Sequence, residues 1–229
     1  MALEPLKITC TSTDCEKGLH CYLQKHRQAA GSASGPCREC GATLIDWDRV
    51  HTRNLADVAH TFVALKTELI RHRFWHQEID EVAINHARRK GRAGMRVAVE
   101  KILRQKIGPA QPYRDGAQTP KSENAVHYAQ HATATCFRKC VEEWHGIPRG
   151  RELTDEELAY CTALVTMYIE ERMPYLTENG EFFSLMLIFM TNLAILGGLF
   201  IAASPTVTMG GVLSDAWGSV VGAIQFAKD

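Results

Sequence analysis

The stretch TDEELAYCTALVTMYIEERMP, residues 154–174, sets the fold class of this 229-residue chain. Thr154 followed three residues later by Glu157 is the pattern of a capping box, which satisfies free backbone N–H groups at the start of a helix. Pro174 lacks an N–H group and cannot continue a helix, so it ends the segment. The stretch therefore predicts a helix that begins after Thr154 and ends at about Met173.

Four upstream segments also have helical patterns. Residues 55–69 carry apolar side chains at spacings of three and four, which is typical of one face of a helix. A second helix is predicted over 79–90, where Gly91 ends it, and a third over 94–106. A fourth is predicted over 136–145. The fold class that follows is mainly α.

Composition divides the chain into three predicted domains. Residues 1–47 are rich in Cys, Thr, Ser and Gly and lack helical periodicity, so we expect a small, irregular, Cys-rich zinc-knuckle lobe there. Residues 48–176 should form the helical domain. Residues 177–229 should form a membrane anchor with one C-terminal transmembrane helix and a short tail.

Charge and hydropathy exclude several classes of protein. The chain holds 26 basic and 26 acidic residues, so no overall excess of charge attracts nucleic acid or anionic lipid. With 45% hydrophobic and 23% charged residues, it has the composition of a folded protein rather than a disordered one. Motifs for phosphate-binding loops, serine hydrolases, zinc proteases and dinucleotide binding are absent from the sequence.

The segment Phe182–Ala203 reads FFSLMLIFMTNLAILGGLFIAA, 22 residues without a charge. As a helix it would be about 33 Å long at 1.5 Å per residue, close to the roughly 30 Å of a bilayer core. A fully buried core helix is the weaker interpretation, because a domain of this size would have to surround it. We therefore predict a single-pass membrane protein whose partners include membrane lipid.

Small and polar residues within this segment indicate further partners. Asn192, Gly197 and Gly198 are typical of helices that pack against other transmembrane helices of a protein complex. The N-terminus has no apolar core of signal-peptide length, so the N-terminal domain is expected in the cytoplasm. Residues after Pro205 are predicted to lie along the membrane interface.

Eight cysteines in such a reducing compartment favour metal binding over disulfides. Cys37 and Cys40 form a C-x-x-C-G motif, in which two intervening residues let both sulfurs reach one zinc ion. Upstream, Cys10, Cys15, His20 and Cys21 could complete the site. We favour Cys10 and Cys15 as the remaining ligands, with Cys21 as the substitute. A redox C-x-x-C is less favoured, since no strand–helix unit surrounds it.

A second candidate metal site lies between residues 127 and 145. If the segment is helical, Cys136 and Cys140 are one turn apart and share a face. His131 and His145 flank the helix and could fold back to the same point; His127 is a further candidate. Four such ligands would close a zinc site, whereas three would leave a position for water. Two buried cysteines with hydrogen-bonded histidines are an equal alternative.

A basic stretch runs from Arg49 to Arg114, with 14 Lys and Arg residues against six Asp and Glu residues. Nucleic acid, anionic lipid and a solvated helix surface would each account for it. Solvation is the commonest reason, so nucleic acid is a possible partner that we do not favour.

The motif AQHATATCFRKC, residues 129–140, followed by EWHGIP and GRELT, resembles a small bacterial family known only as a domain of unknown function. The resemblance runs from about Leu69 to Met173 and implies no activity. The family often has cysteine directly after the first cysteine of the motif, where this chain has Phe137. Position 137 is therefore not an essential ligand, which leaves Cys136 and Cys140 as the pair to test.

Three functional hypotheses follow from the sequence, the last of them a nucleic-acid-binding protein tethered to the membrane. The favoured one is a membrane-anchored zinc-binding interaction module, an accessory subunit of a larger membrane assembly. The alternative is a zinc-dependent hydrolase acting on nucleic acid or another phosphate-bearing substrate. In that case the second cluster would hold the ion and Glu143 would be the general base. Whether the protein is an enzyme stays open at this point.

Overall fold

A computed structural model describes residues 8–24, 35–117, 119–181, 186 and 189–193. This part of the chain is mainly helical, as predicted. Its α-helices are α1 (Trp47–His51), α2 (Val58–Leu65), α3 (Leu69–His76), α4 (Glu81–Lys106), α5 (Ala125–Ala132), α6 (Arg138–His145) and α7 (Asp155–Arg172). Short 3-10 turns lie at Cys15–Lys17 and Leu55–Asp57.

Helix α7 lies at the centre of the helical bundle, where it packs against α2, α4 and α5. Its predicted capping box is present, because the side chains of Thr154 and Glu157 each accept a hydrogen bond from the other residue's backbone N–H. Five side chains in the middle of this helix are buried, namely Tyr160, Cys161, Leu164, Val165 and Tyr168. The sequence therefore predicted the start and the end of this helix, while its burial at the centre of the bundle is seen in the structure.

The predicted helix over 55–69 is not continuous, because α2 ends at Leu65 and α3 begins at Leu69. The backbone of His20 enters this break. Its N–H donates to the carbonyl of Thr67 at 2.8 Å, and its carbonyl accepts from the N–H of Leu69 at 2.9 Å. Periodicity within one segment could not predict this break, since the partner comes from a distant part of the chain.

The Cys-rich segment shares the hydrophobic core of the helices. Tyr22 and Ile45 are buried, and the Tyr22 ring makes edge contacts with Trp47 and Trp144, with ring centroids 5.7 and 5.9 Å away. This segment has one 3-10 turn and isolated bridges among its described residues, as expected of an irregular lobe. The domain boundaries at residues 47 and 176 stay predictions.

A backbone crossing joins the middle of α4 to residues 177–180. The backbone of Gly91 has φ +64° and ψ −179°, which interrupts the helical geometry where the sequence predicted one helix to end. The next N–H groups, of Arg92 and Ala93, donate to the carbonyls of Thr177 and Glu178 at 2.9 and 3.0 Å. A Cβ atom at Gly91 would lie 2.1 Å from the nitrogen of Gly180. Only glycine allows the two backbones to approach this closely.

Within the described residues, no helix is both long and apolar enough to cross a bilayer. Most of the predicted span 182–203, together with the tail after it, lies outside those residues, so the membrane helix stays a prediction. Residues 186 and 189–193 are described, and they are helical and exposed.

Candidate metal centre and second cysteine cluster

A tight turn brings Cys15 and His20 to the same side of the Cys-rich segment. The backbones of Asp14 and Leu19 exchange two hydrogen bonds, at 2.7 and 3.0 Å, around the 3-10 turn. Gly18 closes the turn with φ +72°, a left-handed conformation that glycine adopts without strain. The four residues between Cys15 and His20 therefore form a loop, and the two side chains lie at its base.

The C-x-x-C-G motif forms a second turn opposite the first. The N–H of Gly41 donates to the carbonyl of Cys37, and the N–H of Cys37 donates to the carbonyl of Ala42, both at 2.9 Å. The N–H of Arg38 donates to the carbonyl of Cys21, also at 2.9 Å, which joins the two turns. Both halves of the site are thus held by backbone hydrogen bonds.

Four side chains converge between these turns, namely Cys15, His20, Cys37 and Cys40, and their ligand atoms all lie within 4.8 Å of one another. The Sγ atoms of Cys15 and Cys37 are 3.8 Å apart, and the Sγ atom of Cys40 is 3.5 Å from Nδ1 of His20. Tetrahedral zinc with ordinary bond lengths would set these distances at about 3.8 Å and about 3.5 Å. The donor set and its spacing therefore fit zinc.

The environment of Cys37 favours its thiolate, which is the form that binds a metal ion. Burial would raise the pKa of this thiol, but hydrogen bonds with the backbone of Cys40, Cys21 and Glu39 outweigh burial and hold the pKa at about 6. His20 and Cys37 are buried, whereas Cys40 is exposed. The site thus lies at the surface of the lobe with its inner ligands covered.

The structure differs from the sequence prediction in one member of this set. Cys10 is outside the group, and His20 takes the place that the prediction gave to Cys10. The carbonyl of Cys10 accepts a hydrogen bond from the thiol of Cys21 at 3.1 Å, which also directs the Cys21 thiol away from the four-residue group. The useful signal was the spacing Cys15-x4-His20 beside Cys37-x2-Cys40. Metal binding itself stays a prediction.

The four residues predicted for the second site do not converge. Among the described residues, the group formed by Cys15, His20, Cys37 and Cys40 is the one set of three or more His, Cys, Asp or Glu side chains close enough to share an ion. His131 stacks on Phe74 with ring centroids 4.4 Å apart, and its Nε2 lies 2.9 Å from the carbonyl of Thr119. Its ring therefore packs against Phe74 and hydrogen-bonds the backbone, and within the described residues it does not join Cys136 and Cys140 in a shared ligand set.

His145 and His127 hydrogen-bond the backbone in the same way. Nε2 of His145 lies 3.0 Å from the carbonyl of Thr133, and its Nδ1 lies 3.5 Å from the hydroxyl of Tyr160. Nδ1 of His127 lies 3.1 Å from the carbonyl of Ser122. Burial lowers the pKa of His131 to about 4 and that of His145 to about 3, so both rings are neutral at pH 7.

Cys136 and Cys140 do lie together, next to a buried arginine. Nη2 of Arg71 is 3.6 Å from the sulfur of Cys140, while its Nε donates to Glu68 at 3.0 Å. The Arg71–Glu68 ion pair is covered on all sides, with the two side chains 5% exposed each. Sequence reasoning missed Arg71, because nothing in its neighbourhood distinguishes it from the other cations of the basic stretch.

Glu143, the predicted general base of the hydrolase hypothesis, lies on α6 with its carboxylate 3.6 Å from Nζ of Lys139. Burial raises the pKa of this carboxyl group. It lines a small cavity beside Cys140 and is not among the residues of the metal centre. A hydrolase would need a base beside a metal-bound water, and the described residues do not bring these together.

Much of the basic stretch is paired within the protein. Arg49 binds Asp57, Arg96 binds Glu170 and Glu178, and Arg104 binds Glu100 and Asp155, all with nitrogen–oxygen distances of 2.6–3.2 Å. Such pairing neutralises cations that a nucleic-acid surface would need to leave free.

Residues 59–170 match the family model described as Domain of unknown function (DUF4186). This agrees with the resemblance noted in the sequence, although the match does not test the specific motif. The matched range includes Arg71, Cys136 and Cys140 and leaves out the four residues of the candidate metal centre. No solved structure matches the chain.

Proposed function

We propose that this protein is a zinc-binding interaction module that residues 182–203 attach to a membrane. The observation that carries the zinc assignment is the pair of tetrahedral distances, 3.8 Å between the sulfurs of Cys15 and Cys37 and 3.5 Å from Cys40 to His20. Three cysteines and one histidine are a usual ligand set for structural zinc. Four protein ligands leave no coordination position for substrate, so the ion has a structural role.

The zinc ion would fasten the Cys-rich segment to the helical bundle. His20 lies between the break of α2–α3 and the metal centre, because its backbone bonds Thr67 and Leu69 while its ring faces Cys40. One residue therefore connects the ion to the helices. The N–H of Arg38 joins the two turns by donating to the carbonyl of Cys21 at 2.9 Å, and we infer that the surface they form binds a protein partner.

The membrane attachment is supported by sequence and by the segment that precedes it. Residues 177–180 are bound to α4, and Arg88 and Arg96 form ion pairs with Glu181 and Glu178 at 3.6 and 2.9 Å. The chain is therefore held to α4 as far as Glu181. The described apolar side chains of residues 182–203 are exposed, with Phe189 at 65% and Leu193 at 53%, and a bilayer would cover them.

One experiment tests both parts of the proposal. The full chain and a chain ending at Glu181 are purified, their zinc is measured, and each is mixed with lipid vesicles for flotation. We expect about one zinc per chain in both, as one closed four-ligand site requires, with only the full chain floating. Ending at Glu181 keeps residues 177–180, which α4 needs.

Two matched variants locate the ion. His20→Ala should lose the zinc, because three ligands remain, whereas Cys10→Ser should keep it. Zinc retained by His20→Ala, or lost only by Cys10→Ser, would contradict the assigned ligand set. A truncated chain that floats as well as the full chain would contradict the anchor. Two zinc ions per chain would mean that the second cysteine cluster also holds one.

A further inference from the structure

Cys136 and Cys140 lie four residues apart at the start of α6, close enough for each thiol to shift the pKa of the other. Cys136 lies just before the N-cap residue Phe137, and Cys140 lies in the first turn of the helix. Both side chains are 4% exposed. Free N–H groups at the start of a helix favour negative charge nearby, so this position suits a thiolate better than the middle of a helix would.

Arg71 lies next to Cys140, the second cysteine of the pair. Its Nη2 donates to the sulfur of Cys140 at 3.6 Å. The guanidinium is fixed by two further bonds, from Nε to Glu68 at 3.0 Å and from Nη1 to the carbonyl of His131 at 2.7 Å. A cation that is held in place in this way polarises the Cys140 thiol and stabilises negative charge on the pair.

The pKa of Cys136 agrees with this geometry, whereas the interaction with Cys136, followed by burial, raises the pKa of Cys140. The hydrogen bond from Cys140, followed by the charge of Arg71, holds the pKa of Cys136 below its usual value despite complete burial. Cys161 provides a contrast within the same protein, because burial with no such donor raises its pKa to about 12. Cys136 and Cys161 are both buried, yet the pKa is lowered at Cys136 and raised at Cys161.

Each cysteine of the pair is among the residues that line a cavity. Cys140 lines one of about 60 Å³, together with Cys10, Glu68 and Glu143. Cys136 lines a larger one of about 280 Å³, which Lys106, Arg114 and His127 also line. A single water takes roughly 30 Å³ of liquid, so the larger cavity has room for a small polar molecule next to Cys136.

We propose that Cys136 and Cys140 are a peroxide-reactive dithiol whose substrate is a small hydroperoxide that enters the larger cavity. Cys136 is the attacking sulfur, Cys140 the resolving sulfur, and Arg71 positions and polarises Cys140. The proposal concerns residues outside the metal centre and does not depend on the membrane anchor.

The reaction has two steps. The Cys136 thiolate attacks one oxygen of the hydroperoxide, the O–O bond breaks, and a sulfenic acid forms as the peroxide is reduced. The leaving alkoxide or hydroxide takes the proton of Cys140, giving an alcohol or water. The Cys140 thiolate, facing Arg71, then attacks the Cys136 sulfur. The S–S bond forms, the S–O bond breaks, and hydroxide leaves. An external thiol reductant restores the dithiol.

The test uses the zinc-loaded full chain, hydrogen peroxide at equimolar concentration, quenching with a thiol-alkylating reagent, and peptide mapping by mass spectrometry. We expect a Cys136–Cys140 disulfide that dithiothreitol reverses, formed at least about tenfold faster at pH 7 than N-acetylcysteine reacts, since reactivity follows thiolate content. Cys161→Ser should react like wild type. Cys140→Ser should stop at a sulfenic acid on Cys136, trapped by dimedone.

Arg71→Lys tests the positioning residue. It keeps the charge but loses the fixed fork of donors, so the rate of disulfide formation should fall about tenfold while the zinc content stays unchanged. If Arg71→Lys fails to fold, dimedone labelling of Cys136 in Cys140→Ser still tests whether Cys136 is the attacking sulfur. The proposal is overturned if the pair reacts no faster than N-acetylcysteine, if dimedone labels other cysteines in place of Cys136, or if the pair carries a metal ion.

Discussion

At the scale of single residues, burial decides what the histidines can do. His131 and His145 are 3% and 0% exposed, and their ring nitrogens face carbonyl oxygens of the backbone. Taking an imidazolium out of water is costly, so both rings stay neutral in the folded protein. The sequence motif that contains His131 therefore contributes packing and hydrogen bonds where metal ligands were predicted.

This burial predicts a dependence of stability on pH. The pKa of His131 is about 4 and that of His145 about 3 in the folded chain, against about 6.5 when unfolded. As the pH falls below about 6.5, the unfolded chain takes up protons first, so the free energy of unfolding decreases. By pH 5 each histidine should account for a loss of about 2 kcal/mol.

Urea unfolding at pH 7 and pH 5 measures this loss. In His131→Gln, whose side chain can still donate to Thr119, the loss should be about 2 kcal/mol smaller than in wild type. Release of zinc at low pH affects both proteins equally, so it cancels in the comparison. The exposed residue His76 provides the control variant His76→Gln. An equal loss in wild type and His131→Gln would refute the prediction.

At the scale of elements, the most demanding feature is the crossing of α4 by residues 177–180. Gly91 combines a positive φ with a backbone neighbour that leaves no room for a Cβ atom. The two N–H groups after the break find carbonyl partners in the crossing segment instead of in their own helix. Backbone groups that lose helical partners must be satisfied elsewhere, and here the crossing segment supplies them.

Gly91→Ala should therefore destabilise the protein more than a positive φ alone explains. A non-glycine residue in this conformation costs about 1–3 kcal/mol, and the Cβ clash with Gly180 adds to that. Gly150→Ala is the matched control, because Gly150 also has a positive φ, +83°, but open space at its Cβ. Chemical denaturation should show a larger loss of unfolding free energy for Gly91→Ala than for Gly150→Ala. Equal losses would mean that the crossing opens at little cost.

At the scale of the whole molecule, the Cys-rich segment and the helical bundle depend on each other to different degrees. The bundle consists of regular helices around α7, whereas residues 35–46 contain no helix or strand and lie next to Cys15 and His20 at the candidate metal centre. Binding energy at such a site is folding energy for the segment that carries the ligands.

Removal of zinc by a chelator should loosen the Cys-rich segment and leave the bundle folded. Amide hydrogen exchange should lose protection at Cys37, Arg38 and Gly41, whose N–H groups bond within and between the two turns. Protection in α7 should be kept. Full protection of the three amides after chelation would show that packing alone holds the turns. Global loss of protection would show that the bundle also requires the ion.

The sequence by itself determined the helical class, the capping box of α7, the interruption at Gly91 and the Cys37–Cys40 half of the candidate metal centre. Each of these depends on residues close together in the chain, where capping, backbone strain and ligand spacing act locally. Tertiary structure decided the remainder. It selected His20 over Cys10, separated α2 from α3, and placed Arg71 beside Cys140, 69 residues away. These outcomes follow from contacts between distant segments, and no periodicity or spacing within a single segment encodes which of several similar side chains will meet.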